Sequence, residues 1–260
     1  MLVDSHCHLD AAEFDRDRTA VLDAARAAGV QAFLVPGVEL AGFAGLSALA
    51  SEQADVAPAY GIHPLYVARA EDGDLDELDA WLARPETVAV GEIGLDCFVP
   101  DLPQERLQHF YEGQLRLAER HALPVVLHVR RAVEEIIRHL RRRQLPGGIA
   151  HAFNGSRQQA DTLISMGFAL GFGGAMTFAG SKRIRELAAT LPIDAIVLET
   201  DAPDIPPEWA QGRRNEPQNL ARYAGILAEL RGVTVEEVAA ATTANALRVV
   251  PKLQRILNPA

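Results

Sequence analysis

The chain has 260 residues, 48% of them hydrophobic and 23% charged, with a formal net charge of −10. That composition excludes a disordered chain and supplies a large core, and the length suits one α/β barrel of roughly 250 residues. The negative balance argues against a broad footprint on duplex DNA or an anionic membrane, although a few local cations can still hold a nucleic-acid substrate.

Short apolar, β-branched runs alternate with amphipathic helical stretches from the first residues onward. The predicted strands, in chain order, are Leu2–Ser5, Gln31–Val35, Val56–Gly61, Thr87–Gly91, Pro124–Leu127, Gly148–Ala150, Phe168–Gly171 and Ala195–Leu198. Between them lie periodic apolar faces such as Leu107, Phe110, Tyr111, Gln114, Leu115 and Ala118, with Asp101 and Pro103 as start signals. Gly29 and Gly167 stand just past two helices, where a left-handed cap favours glycine. Asp72, Asp74, Asp76, Glu77 and Asp79 read as the solvated, dipole-favoured start of the third helix. After the eighth strand come helical stretches Pro217–Leu230 and Val235–Val249; Thr234 and Glu237 form a capping-box pattern before the second. Eight βα units without a linker predict a single (β/α)8 TIM barrel over residues 1–260, with a doubly wound open sheet as the alternative.

No stretch approaches the roughly 18 apolar residues of a membrane span. Met1-Leu2-Val3 meets Asp4 and His6 at once, unlike a signal peptide, and Cys7 and Cys97 are too few for a disulfide framework. The expectation is a cytoplasmic protein, monomeric and free of membrane contact.

The histidines sort by position. His109, His121 and His139 fall in helical stretches and read as solvated. His6, His8, His63, His128 and His151 fall at the C-terminal ends of predicted strands, as do Glu92 and Asp201. In a barrel those ends converge on one face, where active sites are built. His6 and His8 share a strand face because side chains alternate, so Cys7 points away; Cys97 reads as a small buried residue. The set His6, His8, Glu92, His128, His151 and Asp201 exceeds the needs of one tetrahedral ion and suits two divalent ions, with Glu92 as the bridge. Asp201 also suits the general base that takes a proton from water. Imidazole and carboxylate ligands admit Mg, Mn, Zn, Ni or Fe.

The same residues carry a family resemblance. His6-Cys7-His8-Leu9-Asp10, Gly61-Ile62-His63-Pro64, Gly91-Glu92-Ile93-Gly94-Leu95-Asp96, His128-Val129-Arg130, His151-Ala152-Phe153-Asn154-Gly155 and Glu199-Thr200-Asp201-Ala202-Pro203 resemble the TatD-type metal-dependent hydrolases of the amidohydrolase superfamily. Glu199 to Pro207 and Gln211-Gly212-Arg213-Arg214-Asn215 resemble its YjjV-like branch. The resemblance implies that His6, His8, Glu92 and Asp201 bind one ion and Glu92, His128 and His151 a second, with His63 on a substrate phosphate. It further implies deoxyribonuclease activity on DNA, 3′-to-5′ exonucleolytic in several members. Val129 and Phe98 depart from the family pattern, at positions where serine and a hydroxyl-bearing aromatic are common.

Arg130 and Arg131, Lys182 and Arg183, and Arg213 and Arg214 follow the fifth, seventh and eighth strands and lie on loops of the catalytic face. Arg130, Lys182 and Arg213 are the candidate phosphate contacts. Phe153, Phe172, Phe178 and Trp209 near that face suit base stacking or barrel packing, whereas Arg141-Arg142-Arg143 ends a helix at the opposite face. Two other readings remain: amide or lactone hydrolysis by the same metals, and a metal-binding interaction protein without catalysis.

Overall fold

The computed structural model describes residues 1–257; residues 258–260 of the expected domain lie outside the described residues. Eight strands, β1 (Leu2–Asp4), β2 (Val30–Pro36), β3 (Val56–Tyr60), β4 (Ala89–Asp96), β5 (Val125–Arg130), β6 (Gly148–Ala150), β7 (Phe168–Phe172) and β8 (Ile196–Leu198), form one sheet. Each pairs in parallel with the next, in unbroken order from β1 to β8. At the seam between last and first strands, the Ser5 N–H and hydroxyl both donate to the Leu198 carbonyl, at 3.1 and 3.0 Å. The result is a nearly closed (β/α)8 barrel. A doubly wound sheet would reverse its strand order at a switch point, and this order never reverses.

The helices between and after the strands are α1 (Arg18–Ala27), α2 (Leu40–Glu52), α3 (Asp74–Leu82), α4 (Gln104–His121), α5 (Val133–Leu140), α6 (Arg157–Ser165), α7 (Lys182–Thr190), α8 (Leu220–Arg231) and α9 (Val235–Val249). Local chemistry sets their ends. Capping boxes start α6 (Ser156 with Gln159) and α9 (Thr234 with Glu237), satisfying donors that a first turn leaves free. Gly29 and Gly167 turn the chain after α1 and α6 at φ of 94° and 87°, as their positions predict. Among the described residues, no helix is long and apolar enough to cross a membrane.

Strand alternation divides the core in two. Phe33, Val35, Tyr60, Val125, Leu127 and Leu170 belong to a cluster that packs the strands against the helices. Their neighbours Val3, Leu34, Ala57, Val126, Ile149 and Val197 form a second cluster with Ala246, Val249, Val250 and Leu253. This second row faces the barrel interior, and the end of α9 with the turn after it plugs the lower mouth. Continuing the inner row by two residues leads from Val126 to His128, from Ile149 to His151 and from Val197 to Glu199. The strand period thus converts one apolar row into a polar mouth.

Several expectations need correction. β4 starts later than predicted and runs on to Asp96, and β5 runs on to Arg130, so Glu92 and His128 sit inside strands rather than past them. Pro217–Asn219 is a 3₁₀ turn before α8. Cys97 is exposed, because the chain leaves β4 for solvent at that point, while Cys7 is buried. His139 is buried against Tyr111 with Glu112 at 3.2 Å, because α5 packs on α4; His121 pairs with Asp79, and His109 alone of the three is fully solvated.

Candidate metal centre

Glu92 is the hub. It is buried, and its two carboxylate oxygens face different partners. Oε2 lies 3.1 Å from His6 Nε2 and 3.5 Å from His8 Nε2. Oε1 lies 2.9 Å from His128 Nδ1 and 3.5 Å from both His63 Nε2 and His151 Nε2. Asp201 Oδ1 completes the first side, 3.4 Å from His6 and 3.5 Å from His8. Three overlapping trios, His6–Glu92–His151, His6–His8–Asp201 and His63–Glu92–His128, each bring one ligand atom per residue within 4.8 Å of the others.

The ring nitrogens not facing the centre show which lone pairs are free. His8 Nδ1 is 3.2 Å from the Pro36 carbonyl and must donate to it, which leaves the Nε2 lone pair pointing inward. His128 Nε2 donates to buried Asp96 at 3.1 Å, which leaves Nδ1 as the inward lone pair. His63 is the reverse. Its Nδ1 accepts the Leu65 N–H at 3.1 Å, so the proton resides on Nε2 and is aimed into the cluster. His6 Nε2 and His8 Nε2 are only 3.2 Å apart. Converging imidazole lone pairs and carboxylates fit a divalent cation, which satisfies them together.

Electrostatics agree with that fit. Burial pushes the Glu92 carboxyl upward, but the imidazoles of His63, His6 and His151 hold it well below its ordinary range. Asp201 is likewise held down against burial, first by His151 and by its hydrogen bond to His8. Burial lowers His6 and His63. It is overcome at His8 and His128 by their carboxylate partners, and at His151 by Asp201, Glu92 and Glu199, which raise it to about 10. The carboxylates therefore stay charged, and protons occupy imidazoles where no cation does.

Neighbouring residues fix these positions. A Cβ on Gly61 would sit 2.7 Å from the Gly91 carbonyl carbon, so glycine lets the loop after β3 approach β4 closely. Buried Gln114 on α4 clamps Ile62, accepting its N–H at 2.6 Å and donating to its carbonyl at 3.0 Å, which sets His63 beside Glu92. Asp96 accepts the N–H groups of Phe98 and Val99 at 2.7 and 3.0 Å while it holds His128; these contacts drive its carboxyl down to about 2 despite burial. Glu199 lies 3.4 Å from His151 Nδ1 and accepts the Ala152 N–H at 2.5 Å; a side chain at Gly171 would fall on its carboxylate. Asp4 joins β1 to the loop after β8, accepting the Thr200 N–H at 2.9 Å and its hydroxyl at 2.6 Å. Thr200 precedes Asp201, whose backbone is left-handed (φ 57°) and whose N–H donates to the His6 carbonyl at 2.8 Å. Asp4, Gln114, Asp96 and Glu199 carry no assignment from sequence reasoning. Glu199 was legible as a carboxylate two residues from Asp201 and Asp96 as one four residues from Glu92, whereas the roles of Asp4, two residues before His6, and Gln114 depend on partners far along the chain.

The cluster lies in a cleft of about 1530 Å³ that takes in His8, His63, Glu92, His128, His151 and Asp201. Among the cations, Arg130, Arg131 and Arg183 line it. Lys182 and Arg213 do not reach its wall, contrary to expectation: Lys182 begins α7 facing solvent, and Arg213 folds back to donate to the Trp209 carbonyl at 3.0 Å. Arg214 is taken up by Asp17 and Glu216 and lies over Phe14. Phe153 and Phe172 are buried packing residues, and Trp209 is covered by Arg222.

Comparisons with known proteins agree with this geometry. The family model described as TatD related DNase matches residues 3–251. The uncharacterized metal-dependent hydrolase YjjV of Escherichia coli (strain K12) is 41% identical over 246 residues, covering 94% of this chain and 95% of that protein. The Homo sapiens deoxyribonuclease TATDN3 is 34% identical over 270 residues, covering 98% of this chain and 97% of that protein. The crystal structure of the Escherichia coli K12 TatD homologue YjjV superposes with a TM-score of 0.93 at 39% identity, covering 96% of this chain and 98% of that one. With the family model spanning nearly the whole barrel, the chain belongs to the TatD-related DNases, a family of metal-dependent hydrolases.

Proposed function

We propose that the protein hydrolyses phosphodiester bonds in a DNA strand, at a single-stranded or frayed end, using two divalent cations. The observation that carries this reading is the division of Glu92, with one oxygen toward His6 and His8 and the other toward His128 and His151. His6, His8, Glu92 and Asp201 would hold one cation, and Glu92, His128 and His151 the other. Such cations supply Lewis acidity, polarising a phosphoryl oxygen and making water more acidic. Asp201 Oδ takes the proton as the water oxygen adds to phosphorus; the P–O bond to the leaving nucleoside breaks, and that oxygen takes up a proton. His63, protonated on Nε2 by virtue of its Leu65 contact, donates to a phosphate oxygen. Arg130 on the cleft wall takes a further phosphate contact. The relatives named as a deoxyribonuclease and the family description support DNA as the substrate.

The test is end-labelled single- and double-stranded DNA with metal-stripped protein resupplied with Mg, Mn, Zn, Ni or Fe in turn. Shortening of single strands from an end is expected. Turnover of amides or lactones with none of DNA would overturn the assignment, as would efficient cutting of closed circular duplex.

A further inference from the structure

The walls of the cleft differ in charge. On the side of β4 and β5 stand Arg130 and Arg131, with Arg183 further round; on the side of β1, β2 and β8 stand Asp10, Glu13, Asp204 and Glu39, the last 3.7 Å from Arg69. Glu134 and Glu135 also border the cationic side, but Gln159 holds the first at 2.7 Å and Arg138 the second at 2.8 Å. Between the two arginines lies Phe98, which is 45% exposed although aromatic. The guanidinium carbons of Arg130 and Arg131 are 3.9 and 4.6 Å from its ring centroid. Arg131 takes up that position from a left-handed backbone (φ 55°), a conformation uncommon for a long side chain. Arg130 also lies 4.0 Å from Asp96, the carboxylate that holds His128. The platform is therefore one buried side chain away from the metal cluster.

We propose that Arg130 and Arg131, held over Phe98, form a subsite for the phosphate next to the one being cleaved, so that the strand leaves the cluster on this side only. Two guanidinium forks suit phosphate oxygens, and the Phe98 ring beneath both guanidiniums sets their positions. The opposite wall, carrying four carboxylates, repels a phosphate and is left for the terminal unit of the chain. This rests on the phosphodiesterase reading above and adds a direction to it.

The experiment uses metal-loaded protein and short, fluorescently labelled single-stranded oligodeoxynucleotides, each with one neutral methylphosphonate linkage moved stepwise along the strand. Binding is read by anisotropy and cleavage separately on the unmodified strand. Neutralising the linkage next to the terminal one should weaken binding about tenfold, and neutralising one several nucleotides further from that end less than about twofold. The difference should shrink to about twofold in Arg131→Ala and in Phe98→Ala. Equal losses at the two positions would overturn the subsite, as would a difference that persists in both variants. Absence of cleavage with every metal would remove the phosphodiesterase reading, while the profile of binding along the strand would still decide the subsite.

Discussion

The upper and lower halves of the barrel interior are made by the same strands and differ by a single step of the strand period. Below, Val3, Leu34, Val126, Ile149 and Val197 meet Val249, Val250 and Leu253 in a dry plug. Above, two residues on, stand His128, His151 and Glu199 around Glu92. The lower row is satisfied by packing alone. The upper residues are not satisfied by protein groups alone: His6 Nε2 and His8 Nε2 converge to 3.2 Å beside the carboxylates of Glu92 and Asp201. Stability is thus drawn from one end, while the other is kept in a state that a cation completes.

Substitutions at the two ends should separate these roles. The largest effect is expected at Glu92, where Gln is a poor bridge between cations. Glu92→Gln should lose both ions on metal analysis and fall to background turnover, and retention of one full equivalent would show that Glu92 serves a single site. Asp201→Asn should keep the ion held by Glu92, His128 and His151 and lower the turnover rate by about 10²–10⁴ through loss of the base. A rate within a few-fold of wild type would move the base elsewhere. At the lower end, Ile149→Ala should cost about 2–5 kcal/mol in denaturant unfolding, as expected for a truncated core aliphatic. Its metal content per folded molecule should be unchanged; a halved content would mean that the plug and the cluster are coupled.

The smallest effect is one of pH. Because carboxylate partners raise His8 and His128 and bring His151 to about 10, these imidazoles favour protons that a cation must displace. Metal affinity should therefore rise with pH toward those raised values and fall as acid refills the rings. Calorimetric titration of metal into stripped protein, in two buffers of different ionisation enthalpy, reads the protons released. Absence of release would show that the rings are already neutral.

Much of the upper end was legible because the common direction of parallel strands brings distant histidines to one place: His6, His8, His63, His128 and His151 all touch Glu92 or its neighbours. Alternation accounts for His128 and His151 but not for His6 and His8, which lie past the end of β1, where alternation from inward Val3 would have turned Cys7 inward. What escaped were features set by partners rather than period. His139 has a helical position and a polar side chain, but α4 covers it with Tyr111 and Glu112. Cys97 follows a buried strand, yet the strand ends one residue before it. Lys182 opens α7 and Arg213 lies on the loop after β8, but the path of the preceding loop decides where each cation points, and no periodicity constrains that path. Asp4 gains its role from Thr200, 196 residues later.

That last contact has a consequence for the timing of assembly. His6 and His8 follow the first strand and are synthesised before the rest of the barrel, whereas Asp201 and the Thr200 that steadies it follow the eighth strand. Contacts of such long sequence separation form late in folding, since a long loop must close before they are gained. A nascent chain carrying seven strands therefore has the HxH pair but neither Asp201 beside it nor the seam that orients it. The candidate metal centre is complete only after the eighth strand has been synthesised and docked.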